Sequence, residues 1–110
     1  LPMAIGSALA LRARGRHEPR VVVLTGDAEL NEGSNWEAVM LAPHLGLGNL
    51  TLLVIDNHSS TIPLSPIDAR LRAFGWDAVQ VDGRDHAALR RALERRCEVP
   101  TAVVAEIGTG

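Results

Sequence analysis

The chain has 110 residues, 46% hydrophobic and 22% charged, with a formal net charge of −2, which suits one small hydrophobic core and not several domains. That charge gives no drive toward nucleic acid or an anionic membrane, and no apolar run approaches the ~20 residues needed to span a bilayer. A single cysteine, Cys97, excludes an internal disulfide framework and fits a reducing, cytoplasmic compartment.

The elements follow in chain order. Residues 2–14 predict a helix with Pro2 in its first turn. Its apolar start has no basic stretch before it, so it reads as a buried helix and not as a signal peptide. Residues 20–25 (RVVVLT) form a β-branched run short enough for a buried parallel strand. After Gly26-Asp27, Ser34 and Glu37 predict a capping box for a helix that continues through Trp36, Val39 and Met40 toward Leu45, with Pro43 as an interior blemish. Residues 50–55 predict a second buried strand. Residues 58–66, with Pro63 and Pro66, predict a loop. A short helix at 67–73, a strand at 78–81, a helix at 86–97 and a strand at 101–105 complete the chain. This alternation predicts an α/β fold, a parallel sheet flanked by helices with right-handed crossovers, as one domain over residues 1–110.

Several side chains have structural readings. Arg12, Arg14 and Arg16, and Arg90, Arg91, Arg95 and Arg96, read as solvated helix faces and not as a nucleic-acid surface. His17 and His86 fall at element ends and read as surface residues; His44 reads as packing. Cys97, near the end of an amphipathic helix, also reads as packing, and Trp36 as a core or interface aromatic.

The chemistry gathers in GDAELNEGSNWEA, residues 26–38, and in the pair Asp56-Asn57. Asp27 and Asn57 stand 30 positions apart, each at the carboxyl end of a predicted parallel strand, where open α/β sheets present their ligand loops. Two oxygen donors there suit Mg²⁺, which is held by one or two carboxylates with water and phosphate oxygens completing an octahedron. The competing reading of Asp27 is an Asx turn closing a loop. Gly26 and Ala28 would act through backbone N–H groups, which form an anion-binding concavity at such a turn.

These blocks, with HLGLGNLTLLVIDN at 44–57 and FGWDAVQVDGRDHAAL at 74–89, resemble the thiamine diphosphate-binding domain of the transketolase family, whose motif runs GDG and, a strand later, Asn. The resemblance implies a thiamine diphosphate-binding fold, here a partial diphosphate-binding domain. It assigns Asp27 and Asn57 to the side-chain metal positions and the Ser59 carbonyl to the backbone one. It also assigns Gly26 and Ala28 to the diphosphate and Glu32 to a dimer contact between active sites; His58, immediately after Asn57, reads as lining the cofactor mouth. The sequence departs from the family at Ala28, where glycine is usual, and in the loop SSTIPLSP at 59–66.

The implied function is the thiamine diphosphate- and Mg-binding part of an enzyme that transfers a two-carbon ketol unit between sugar phosphates. The cofactor's ylid attacks the ketose, and a glutamate on a separate pyrimidine-binding domain activates it. The implied partners are that domain, in the same chain or a separate one, in a homodimer or heterotetramer. The start at Leu1-Pro2 and the end at Gly108-Thr109-Gly110 are expected to be those of a fragment or of one part of a split enzyme, inactive alone. Two alternatives are another thiamine enzyme, of 1-deoxyxylulose 5-phosphate synthase or 2-oxo acid dehydrogenase type, and a degenerate structural or regulatory module.

Overall fold

The computed structural model describes residues 1–16 and 19–108. Helix α1 (Pro2–Ala13) leads to strand β1 (Val21–Gly26), a 3₁₀ turn (Ala28–Asn31) and helix α2 (Gly33–His44). Strand β2 (Leu50–Asp56), helix α3 (Ile67–Ala73), strand β3 (Asp77–Asp82), helix α4 (His86–Leu93) and strand β4 (Thr101–Glu106) follow. Every strand pair is parallel and the order across the sheet is β1-β2-β4-β3. The expected α/β architecture is present. The two central strands carry the near-continuous apolar runs LTLLVID and TAVVAE, as strands covered on both sides must.

One face of the sheet holds the main core. Leu50, Leu52 and Val54 of β2, Ala102 and Val104 of β4 and Ala78 of β3 meet Ile5 and Ala8 of α1, Ala38, Val39 and Ala42 of α2, and Ile67 and Leu71 of α3. Helix α4 packs on β3 and β4. The step from β3 back to β4 runs opposite to the steps before it, so a right-handed crossover carries α4 to the other face. On that face β1 is bare: Val22 is 58% and Leu24 63% exposed.

Pro43 lies in the last turn of α2 and does not break it. A proline there removes the N–H that would bond the carbonyl of Val39. The buried indole N–H of Trp76 donates to that carbonyl instead, at 2.9 Å, so the helix keeps its bonding through a side chain from the start of β3. Gly75, at φ +103°, lets the chain turn there, and a Cβ on it would stand 3.2 Å from the Pro43 ring.

Five local expectations are corrected. The capping box does not form: Glu32 is the N-cap of α2, Ser34 lies inside the helix, and no side chain caps it. Instead the buried Asn35 amide bonds the carbonyl of Glu29 at 2.7 Å and ties the helix to the 3₁₀ turn. Helix α4 ends at Leu93, not at residue 97. Arg95 leaves the helical path because its guanidinium is drawn into the sheet, pairing with Asp77 at 2.7 Å and donating to the Ala102 carbonyl at 3.1 Å; it is no solvated face residue. Cys97 is therefore off the helix and exposed, its thiol donating to Asp77 Oδ2 at 2.9 Å. That hydrogen bond to a carboxylate pushes the thiol pKa up, so it is a poor nucleophile. His44 is exposed instead of packed, His86 is exposed as expected, and His17 lies outside the described residues. Among the described residues no helix is long and apolar enough to cross a membrane.

Candidate functional site

Strands β1 and β2 run side by side with Gly26 opposite Ile55, so their carboxyl ends open at one edge of the sheet. The backbone N–H of Asp27 donates to the Ile55 carbonyl at 3.0 Å, which extends the ladder one residue and fixes the aspartate. Its side chain is turned inward, leaving the residue 2% exposed. Four donors from the loop after β2 meet that carboxylate. Oδ2 accepts from the Ser59 N–H at 2.8 Å, the Ser60 N–H at 3.0 Å and the Ser60 hydroxyl at 3.0 Å. Oδ1 accepts from the Ser59 hydroxyl at 2.9 Å. Burial pushes the Asp27 carboxyl up, but the hydrogen bonds from Ser59 and Ser60 outweigh it and hold the group below the ordinary carboxylate range.

A second buried carboxylate stands beside it. Asp56, the last residue of β2, accepts from the His58 N–H at 3.1 Å and from the Ser65 hydroxyl at 3.2 Å. Asn31 holds the middle of the same loop, accepting from the N–H groups of Thr61 and Ile62 and donating to the Ile62 carbonyl. His58 adopts φ 59°, the left-handed region, and its Nε2 lies 3.2 Å from Glu106 Oε1, whose other oxygen accepts from Gln80. Asp27, Asp56, His58, Ser60, Pro63, Leu64, Ser65 and Ile67 line a cavity of about 130 Å³.

The expected site residues fall as follows. Asp27 and His58 line the cavity, and Ser59 lies on Asp27. Gly26 ends β1 half-buried, and a Cβ added there meets nothing within 4 Å, so packing within this chain gives no reason for glycine. Ala28 is exposed and starts the 3₁₀ turn. His58 is the non-glycine residue at positive φ among those described, so Ala28 avoids the conformation an alanine resists. Asn57 is exposed just past β2 and Glu32 is exposed at the start of α2; neither lines the cavity. Asp56, Ser60, Ser65 and Asn31 had no role assigned from sequence. The signal available for Asp56 was a second carboxylate next to Asn57; the others depend on how the loop folds back.

The donor chemistry fits a hard cation. A carboxylate offers about four lone-pair sites, two on each oxygen. The donors crowd onto Oδ2, while Oδ1 takes a single hydroxyl and so keeps capacity for a metal. Among the described residues no group of three or more His, Cys, Asp or Glu side chains could hold an ion by itself, so an ion here needs amide, carbonyl or phosphate oxygens as well, the mixed set that Mg²⁺ accepts. A larger cleft, about 400 Å³, lies among Arg12, Arg16, Asn49 and Arg96, at the amino-terminal ends of the strands and away from Asp27.

The family described as "Transketolase, thiamine diphosphate binding domain" matches residues 15–108. The chain is 43% identical over 109 residues to a protein named ferredoxin fas2 from Rhodococcoides fascians, covering 97% of this chain and 36% of that protein. It is 36% identical over 104 residues to one of the subunits of an apulose-4-phosphate transketolase from Actinobacillus succinogenes, covering 86% of this chain and 36% of that one. The fold matches the crystal structure of a transketolase from Campylobacter jejuni with a TM-score of 0.85 at 24% identity, over 94% of this chain and 18% of that chain. The chain thus spans 36% of each of these two relatives and a smaller part of the crystallised enzyme.

Proposed function

The chain belongs to the family of transketolase thiamine diphosphate-binding domains, and from that membership we propose that it holds the diphosphate and Mg²⁺ of a transketolase-like enzyme that transfers a two-carbon ketol unit between sugar phosphates. The observation that carries the reading is the Asp27 carboxylate, buried at the end of β1, kept ionised by Ser59 and Ser60, with Oδ1 only lightly engaged. In this reading Asp27 and Asn57 bind the metal through their side chains and Ser59 through its carbonyl. The N–H groups at Gly26 and Ala28 meet the diphosphate, and His58 lines the mouth of the site. Glu32 reaches an interface between active sites. When bound, thiamine diphosphate supplies the nucleophilic carbon; this chain binds it, orients it and neutralises its charge.

The partner in this proposal is a pyrimidine-binding domain, in the same chain or a separate one, within a homodimer or heterotetramer in the cytoplasm. A relative whose name makes it one of the subunits of a transketolase supports a divided arrangement. Residues 1–110 serve as one diphosphate-binding unit of the larger enzyme.

Calorimetry on the full-length protein tests the reading. Thiamine diphosphate is expected to bind with Mg²⁺ and to lose that binding in chelator or on Asp27→Ala. Equal affinity with chelator present would sink the metal assignment. Cofactor binding without two-carbon transfer from xylulose 5-phosphate would favour another thiamine enzyme or a non-catalytic module.

A further inference from the structure

We infer that Asp56 is a positioning residue for the metal and diphosphate loop, an inference that rests on the function proposed above. It is 4% exposed, lines the same cavity as Asp27, and touches the loop at two separated points. Oδ1 takes the His58 N–H, and Oδ2 takes the Ser65 hydroxyl. One carboxylate therefore closes the turn over Asn57 and holds the loop that carries Ser59 at both His58 and Ser65.

The anchor itself is rigid. Asp56 closes β2, a central strand paired on both sides with β1 and β4. Its carbonyl accepts from the Ile107 N–H at 2.9 Å, so its backbone is fixed by the sheet beyond β4. The side chain passes that rigidity to the loop. Its bond to His58 is an Asx-type closure from residue i to i+2, formed at a residue in the left-handed region, which is uncommon outside glycine although histidine is among the side chains that enter it. With that closure made, the Ser59 and Ser60 N–H groups both meet Asp27 Oδ2. The proposed metal positions on either side of His58, Asn57 and Ser59, are thus set by a residue that need not touch the metal.

Positioning and direct charge attraction predict different results. Asparagine at 56 keeps an oxygen for the His58 N–H, and its amide can donate to the Ser65 hydroxyl, so the closure survives without the charge. Alanine removes both contacts. The test is Mn²⁺ affinity in the presence of thiamine diphosphate, read from the free-ion paramagnetic resonance signal, for the full-length protein and its variants. Asp56→Ala is expected to weaken Mn²⁺ binding about 10–100-fold, as loss of a supporting partner does, and Asp56→Asn to restore it to within about threefold of the unaltered protein. Ser65→Ala, at an exposed residue, should keep the fold and give a smaller loss.

An unchanged affinity in Asp56→Ala overturns the inference, and so does Asp56→Asn as weak as Asp56→Ala, because charge and not position would then be acting. If Asp56→Ala does not fold, unchanged binding in Ser65→Ala overturns it. Asp27→Ala separates the two levels. Full binding in that variant removes the metal reading itself and the Asp56 inference with it, whereas abolished binding there with unchanged Asp56→Ala removes only the latter.

Discussion

Asp27 is buried yet ionised, because the N–H and hydroxyl groups of Ser59 and Ser60 replace the water it has lost. A folded-state pKa below the unfolded one makes the aspartate stabilising wherever pH exceeds the unfolded value of about 3.9, and that stabilisation is lost as pH falls through the lower, folded value. Denaturant unfolding of the unaltered protein and of Asp27→Asn should therefore show a constant difference from about pH 5 to 7, shrinking below the ordinary carboxylate pKa. A difference that grows on acidification would contradict the hydrogen-bond account. The same residue shows what sequence can and cannot carry. A Gly-Asp step closing an apolar run locates Asp27 at the carboxyl end of a strand, and the observed place agrees. Which atoms surround it was not legible, because Ser59 and Ser65 reach the two aspartates only through the return of the loop, and no periodicity records such contacts.

At the scale of elements, the junction between α2 and β3 carries a distinct prediction. Trp76→Phe leaves the Val39 carbonyl buried beside Pro43 without its donor, and the cost should be about 1–3 kcal/mol. Adding Pro43→Ala restores a backbone N–H at that turn and should recover part of the loss; thermal unfolding of both variants checks this, and additive losses would contradict it. Long apolar or amphipathic segments were legible from local pattern. The third helix falls at Ile67–Ala73, as expected, and the strands differ by a residue or so at their ends. The misses came from contacts between elements. Arg95 ends α4 early because Asp77 and Ala102 compete for its guanidinium. The 3₁₀ turn after Asp27 has only one turn of local bonding and no periodic signature. Pro43 looked like an obstacle because the compensating Trp76 lies 37 positions from the Val39 carbonyl it bonds.

Over the described residues the molecule is a four-stranded parallel sheet with α1, α2 and α3 on one face and α4 over part of the other. Strand order was beyond the sequence, since each strand reads alike whichever neighbour it has. The arrangement sets the ends of β1 and β2 side by side and brings Asp27 and Asp56 to one cavity, which is the geometry on which the proposed function rests. In the proposed reading, cofactor binding and the loop anchor rest on residues of this chain, and the sugar chemistry on groups of the proposed partner domain. The most direct measurement is the anomalous scattering of Mn²⁺ in crystals of the full-length protein grown with thiamine diphosphate. The account predicts a peak at the carboxyl ends of β1 and β2, about 2 Å from Asp27 Oδ1, with Asn57 and the Ser59 carbonyl as further ligands. Diphosphate density elsewhere, or Mn²⁺ bound without Asp27, would contradict it.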